Sequence, residues 1–141
     1  MSETVLKGRP TVSGVVTDSG LEAMELKVDG GGHYRLKLVW AGGSEVPALG
    51  ERVTGVIRAK AKRMDVIAAG GRYVEPVHGR PRRVQGRITG GDAGANVVDV
   101  SAGPAVVVTP TAPGQQAADF MVGQMVSFDV LRGATFTPVE A

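Results

Sequence analysis

Apolar side chains recur at every second residue along this chain, and that spacing restricts the backbone more than any other feature of the sequence. Val12, Gly14 and Val16 share one parity. Met24, Leu26 and Val28 alternate with Glu25, Lys27 and Asp29. Tyr34, Leu36, Leu38 and Trp40 alternate with Arg35 and Lys37, and Val53, Gly55, Ile57 and Ala59 continue the pattern. A period of two lines one face of an extended strand, whereas on a helix it would scatter the same residues round the circumference. Asp29-Gly30-Gly31-Gly32 and Ala41-Gly42-Gly43-Ser44 interrupt the runs as a turn and a loop. A fifth extended segment is expected over residues 64–77, broken at Gly70-Gly71. Later strands are expected near 83–89, 96–102, 105–109, 124–131 and 134–139. Gln115-Gln116-Ala117-Ala118-Asp119-Phe120 suits one helical turn. With 21 Gly and only six aromatic residues in 141, short strands and tight turns are favoured over helices.

The chain also resembles itself. Gly8-Arg9-Pro10-Thr11-Val12-Ser13-Gly14-Val15-Val16 returns as Gly79-Arg80-Pro81-Arg82-Arg83-Val84-Gln85-Gly86-Arg87-Ile88. Gly50-Glu51-Arg52-Val53-Thr54-Gly55-Val56-Ile57-Arg58 returns as Gly123-Gln124-Met125-Val126-Ser127-Phe128-Asp129-Val130-Leu131-Arg132. Tyr73-Val74-Glu75-Pro76-Val77 returns more loosely as Phe136-Thr137-Pro138-Val139. The second copy is shorter, and the deficit falls opposite residues 60–70. The repeat predicts two units, 1–77 and 78–141. Each would hold five strands, a glycine in the first, and a loop or short helix before the fourth. That pattern is similar to the OB-fold, and an SH3-like barrel fits the same periodicity. The expected class is all-β, as two tandem five-stranded OB-fold-like barrels.

The first unit carries a second likeness. Met24-Glu25-Leu26-Lys27-Val28-Asp29-Gly30-Gly31, then Leu49-Gly50-Glu51-Arg52-Val53 and Ile57-Arg58-Ala59, resembles the molybdate-binding Mop (TOBE) domains. The resemblance implies paired small barrels that hold an oxyanion between subunits.

Charge marks the seam between the units. Residues 51–87 hold ten Lys/Arg against three acids, a net charge of +7. Residues 1–50 hold five Lys/Arg against six acids, and residues 88–141 hold one against five. Arg58, Lys60, Lys62, Arg63, Arg72, Arg80, Arg82, Arg83 and Arg87 are the candidate binding residues. Alternate placement of Arg58, Lys60 and Lys62 puts them on one side of a strand, an arrangement suited to neutralising nucleic-acid phosphates. The competing reading is an assembly role, in which the basic centre pairs with acidic arms of neighbouring copies in a homo-oligomer. Tyr34, Trp40 and Phe128 share parity with core residues, so base stacking is not expected.

Other chemistry finds little footing. There is no Cys, which excludes disulfides and thiolate metal sites. His33 follows a glycine turn and His78 precedes Gly79, and neither has Asp or Glu at metal-ligand spacing. Asp18, Asp92 and Asp119 sit beside loops, where they suit turn chemistry. No phosphate-loop or nucleophile–base motif is present, so neither catalysis nor a cofactor or metal is expected. Residues 1–10 contain no apolar leader, and no run approaches a membrane span. The expectation is a cytoplasmic binding module with no membrane partner.

Overall fold

The computed structural model describes residues 8–30, 33–43 and 45–139. Met1–Lys7, the Gly31-Gly32 part of the triple-glycine turn and Ser44 of the following loop lie outside the described residues. The fold is all-β, and among the described residues twelve strands follow one another along the chain. They are β1 (Val12–Ser19), β2 (Ala23–Val28), β3 (Arg35–Trp40), β4 (Arg52–Ala61), β5 (Asp65–Ile67) and β6 (Tyr73–Glu75). After these come β7 (His78–Gly79), β8 (Arg83–Asp92), β9 (Val97–Ser101), β10 (Ala105–Pro110), β11 (Met125–Asp129) and β12 (Thr135–Pro138). A 3₁₀ turn, Ala117–Asp119, stands where the sequence suggested a helical turn.

Five strands close into a barrel of the OB-like kind. β1 pairs antiparallel with β2, and β2 with β3. β3 lies parallel to β12, β12 antiparallel to β4, and β4 returns antiparallel to β1. The fifth strand of this barrel therefore comes from the far end of the chain. Closure leaves no open edge along these Val-rich strands, which would otherwise template pairing with other chains.

The remaining long strands repeat the same pairings at equivalent residues. Val12 faces Gly55 across β1 and β4, as Val84 faces Phe128 across β8 and β11. The bulge between Val16 and Asp18 recurs between Ile88 and Gly90. Val16 N–H donates to the Glu51 carbonyl, as Ile88 N–H donates to that of Gln124. Even the side-chain cap repeats: Glu51 Oε1 accepts from Ala48 N–H at 3.1 Å, and Gln124 Oε1 from Met121 N–H at 2.8 Å. Beyond its β12 partner, β4 continues parallel to β10 and bridges Ala61 to Val130 on the β11 side. Phe136 sits opposite Trp40 and Ile57, and Ala61 sits opposite Pro110 and Val130. Phe136 is thus the counterpart of Ala61. The loose match of Phe136 to Tyr73 does not hold, because Tyr73 pairs with Gln85 on β8 instead.

One apolar core runs through both sets of strands, from Val12, Leu26 and Leu36 through Ile57, Ala59 and Ala61 to Val100, Val126 and Phe128. Leu36, Leu38, Ile57, Val126, Phe128 and Val130 are buried as their parity requires, and Arg35, Lys37 and Lys60 are exposed. Trp40 and Arg58 are half-buried. Trp40 stacks on Phe136 at 5.9 Å between ring centroids, 16° from parallel. A smaller cluster of Val56, Val97 and Val107 lies on the opposite face of the sheet. Glycine permits the closest strand approaches: a Cβ on Gly14 would overlap the Lys27 carbonyl, and one on Gly86 the Ser101 carbonyl.

Candidate functional site

The seam forms where β4 leaves the barrel. Ala59 and Ala61 point into the core, so alternation turns Lys60 and Lys62 outward, and both are exposed. Lys62 N–H donates to the Asp129 carbonyl, Leu131 N–H to that of Lys60, and Val130 N–H to that of Arg82. These bonds set the ends of β4 and β11 and the approach to β8 side by side, and they bring Lys60, Lys62, Arg82 and Arg132 together. Arg80 joins them. Desolvation, followed by the positive charges of Arg132 and Arg82, lowers its pKa below the ordinary arginine value. Arg83 sits beside this group, held by Asp129 at 2.7 Å and by Ser127 Oγ at 2.8 Å. The hydrogen bond to Asp129 is the largest reason its pKa is raised. The surface therefore gathers six cations, with two carboxylates placed beside Arg83: Asp129, which bonds it, and Glu75, its Cα partner on β6.

The other candidates behave differently. Arg63 pairs with Asp65 at 3.2 Å, and both side chains are exposed. Arg58 lies half-buried on β4, opposite Val107 and Thr135. Arg87 donates to the Gly123 carbonyl at 2.7 Å, and Arg72 reaches Ser101 Oγ at 3.5 Å. Arg87 is the Cα partner of Ser101, so these two cations meet there, roughly 16 Å along β8 from Arg82. The nine candidates thus divide into a seam group of Lys60, Lys62, Arg80, Arg82 and Arg83, the distant pair Arg72 and Arg87, Arg63 paired with Asp65, and Arg58 at the edge.

Two charged features escaped the sequence reading. Arg132 belongs to the seam although it lies far along the chain, and only the β4–β11 bridge brings it there. Arg9 forms an ion pair with the buried Asp99 of β9 at 2.8 Å. Asp99 Oδ1 and Arg9 Nε are buried without a partner among the described residues. Burial raises the Asp99 pKa, and Arg9 only partly offsets that. A lone Asp amid Val97, Val98 and Val100 was the available signal.

No Phe, Tyr or Trp ring is exposed among the described residues. Phe128 and Phe136 are buried, and Tyr34 accepts a hydrogen bond from Val74 N–H at its hydroxyl. Tyr73 bonds Gln85 through its own hydroxyl, and Phe120 packs on the core. The two described clefts, one lined by Ile88, Gly90 and Phe120 and the other by Trp40, Glu45 and Glu51, contain no seam residue. No group of three potential metal ligands occurs among the described residues. None of their helices is long and apolar enough to cross a membrane. The chain matches no family model, no curated protein and no solved structure, so the Mop-like resemblance of the first unit gains no support from those comparisons.

Proposed function

We propose that this chain is a non-catalytic module that binds the phosphates of nucleic acid through the seam, on a scaffold of two tandem OB-like barrels sharing β4. One observation carries the reading. The repeated register supplies an internal control, because three seam positions have named counterparts in the closed barrel. Thr135 and Thr137 occupy the places of Lys60 and Lys62, and Pro10 that of Arg82. The same backbone environment is therefore built with neutral side chains elsewhere in the molecule at these three positions. Concentrating like charge raises the energy of the folded chain, since Arg80, Arg82 and Arg132 repel one another. Such a cluster is explained by a partner that brings negative charge. Phosphate contacts release condensed counterions and position a polymer without reading its bases.

The test is fluorescence anisotropy with two labelled oligonucleotides of opposite base composition at about 50 mM salt. Equal affinity for both is expected, with at least a tenfold loss for each on Lys62→Glu. Strong dependence on base composition, or no effect of Lys62→Glu, overturns the proposal.

A further inference from the structure

Resting on that phosphate-binding reading, we infer that the seam takes double-stranded rather than single-stranded nucleic acid. Proteins that hold single strands on an OB-like surface combine a basic groove with exposed aromatic rings on which unpaired bases stack. This chain has no exposed Phe, Tyr or Trp ring among its described residues. Its rings are buried or half-buried, and the hydroxyls of Tyr34 and Tyr73 are committed to hydrogen bonds. The seam cations line neither described cleft.

What the seam does offer is a short, stiff array. Lys60 and Lys62 stand two residues apart on one strand, roughly 6.6 Å. Arg132 follows the neighbouring strand β11, and Arg82 lies one backbone further on, which makes three adjacent backbones about 10 Å across. Backbone hydrogen bonds fix the positions from which these side chains project. A duplex places about one charge per 1.7 Å of axis, against one per 3.4 Å for each strand alone. The duplex therefore presents its phosphates at higher axial density and already ordered. An unpaired strand would have to be ordered on binding, with no stacking to offset the cost.

If Lys60, Lys62, Arg80, Arg82 and Arg132 each neutralise one phosphate, log affinity should fall against log salt with a slope of about −4.5 for duplex and about −3.5 for single strand. With equal affinity for the two forms at about 1 M salt, the difference of about one unit in slope corresponds to roughly tenfold tighter duplex binding near 0.1 M salt. The experiment titrates salt against a duplex and against one of its separated strands. It uses the full chain, Lys60→Ala/Lys62→Ala, and the control Arg35→Ala/Lys37→Ala. That control removes the same charge from the exposed face of β3. The expected result is the tenfold duplex preference, with the slope flattened by about two in the seam variant and hardly at all in the control. Equal or tighter binding of the single strand overturns the duplex inference and leaves phosphate binding standing. No binding to either form at about 50 mM salt, or equal flattening by both variants, overturns the phosphate-binding reading itself. A seam variant whose sedimentation changes while its DNA binding does not also overturns that reading, in favour of assembly.

Discussion

Replacing Phe136 by Ala tests whether the carboxy-terminal strand holds the barrel closed. Phe136 is fully buried on β12 between β3 and β4. Its ring stacks on Trp40 and fills the space beside Gly55, where an added Cβ would lie 2.6 Å from it. Truncating a buried Phe costs about 3–5 kcal/mol, because transfer energy is lost and a cavity remains. The lost stacking, worth roughly 0.5–1.5 kcal/mol, is part of that. Domains have only about 5–15 kcal/mol in total, so the loss is a large fraction of stability. With a urea slope of about 2 kcal/mol per M, the midpoint should fall by about 2 M. Trp40 is the sole tryptophan, so its fluorescence reports the β3–β12 contact directly, and far-ultraviolet circular dichroism reports all strands. Because β4 is paired with both β12 and β10, the two transitions should coincide and shift together. Leu49→Ala, at a residue 70% exposed, should stay within about 0.5 kcal/mol. A shift below about 1 kcal/mol, or a fluorescence transition that moves while the dichroism stays in place, would refute the reasoning.

Gly14→Ala and Gly86→Ala should each cost about 1–3 kcal/mol in denaturant titrations, since each Cβ meets a carbonyl of the neighbouring strand. Gly71→Ala, which meets open space, should be close to neutral by the same measurement. Arg9→Ala should cost about 3–5 kcal/mol by leaving Asp99 buried without its cation. The folded Asp99 pKa lies above the ordinary 3.8, so the native state binds its proton first and this group's contribution to stability falls as pH rises. Arg9→Ala should steepen that fall from about pH 4 upward and Asp99→Asn should abolish it, as read from urea midpoints across about pH 4–7.

Much of the local structure is legible in the primary sequence. The alternation of Leu36 and Leu38 with Arg35 and Lys37 specifies both the strand and its buried face, because side chains on extended backbone point alternately to opposite sides. Gly14 on β1 and Gly86 on β8 mark the same kind of close strand contact. The seam was legible in outline, since Lys60 and Lys62 flank Ala61 in an alternating run. Its membership was not. Arg63 and Arg83 are engaged by Asp65 and Asp129, Arg72 and Arg87 lie elsewhere, and Arg132 joins from a distant segment.

Strand identity, inward parity and the doubling of the pattern are properties of neighbouring residues, so they survive translation from sequence to structure. Which strands meet depends on contacts between residues far apart in the chain. Period-two alternation says which face is buried but not which backbone lies alongside. Phe136 therefore reads equally well as a partner of the last strand of its own unit or, as it proves, of β4 and β3 in the barrel formed by the opposite end of the chain. The same holds for charge. A cation's freedom to bind depends on which carboxylate the register places beside it, and tertiary pairing alone settled that for Arg9, Arg83 and the seam.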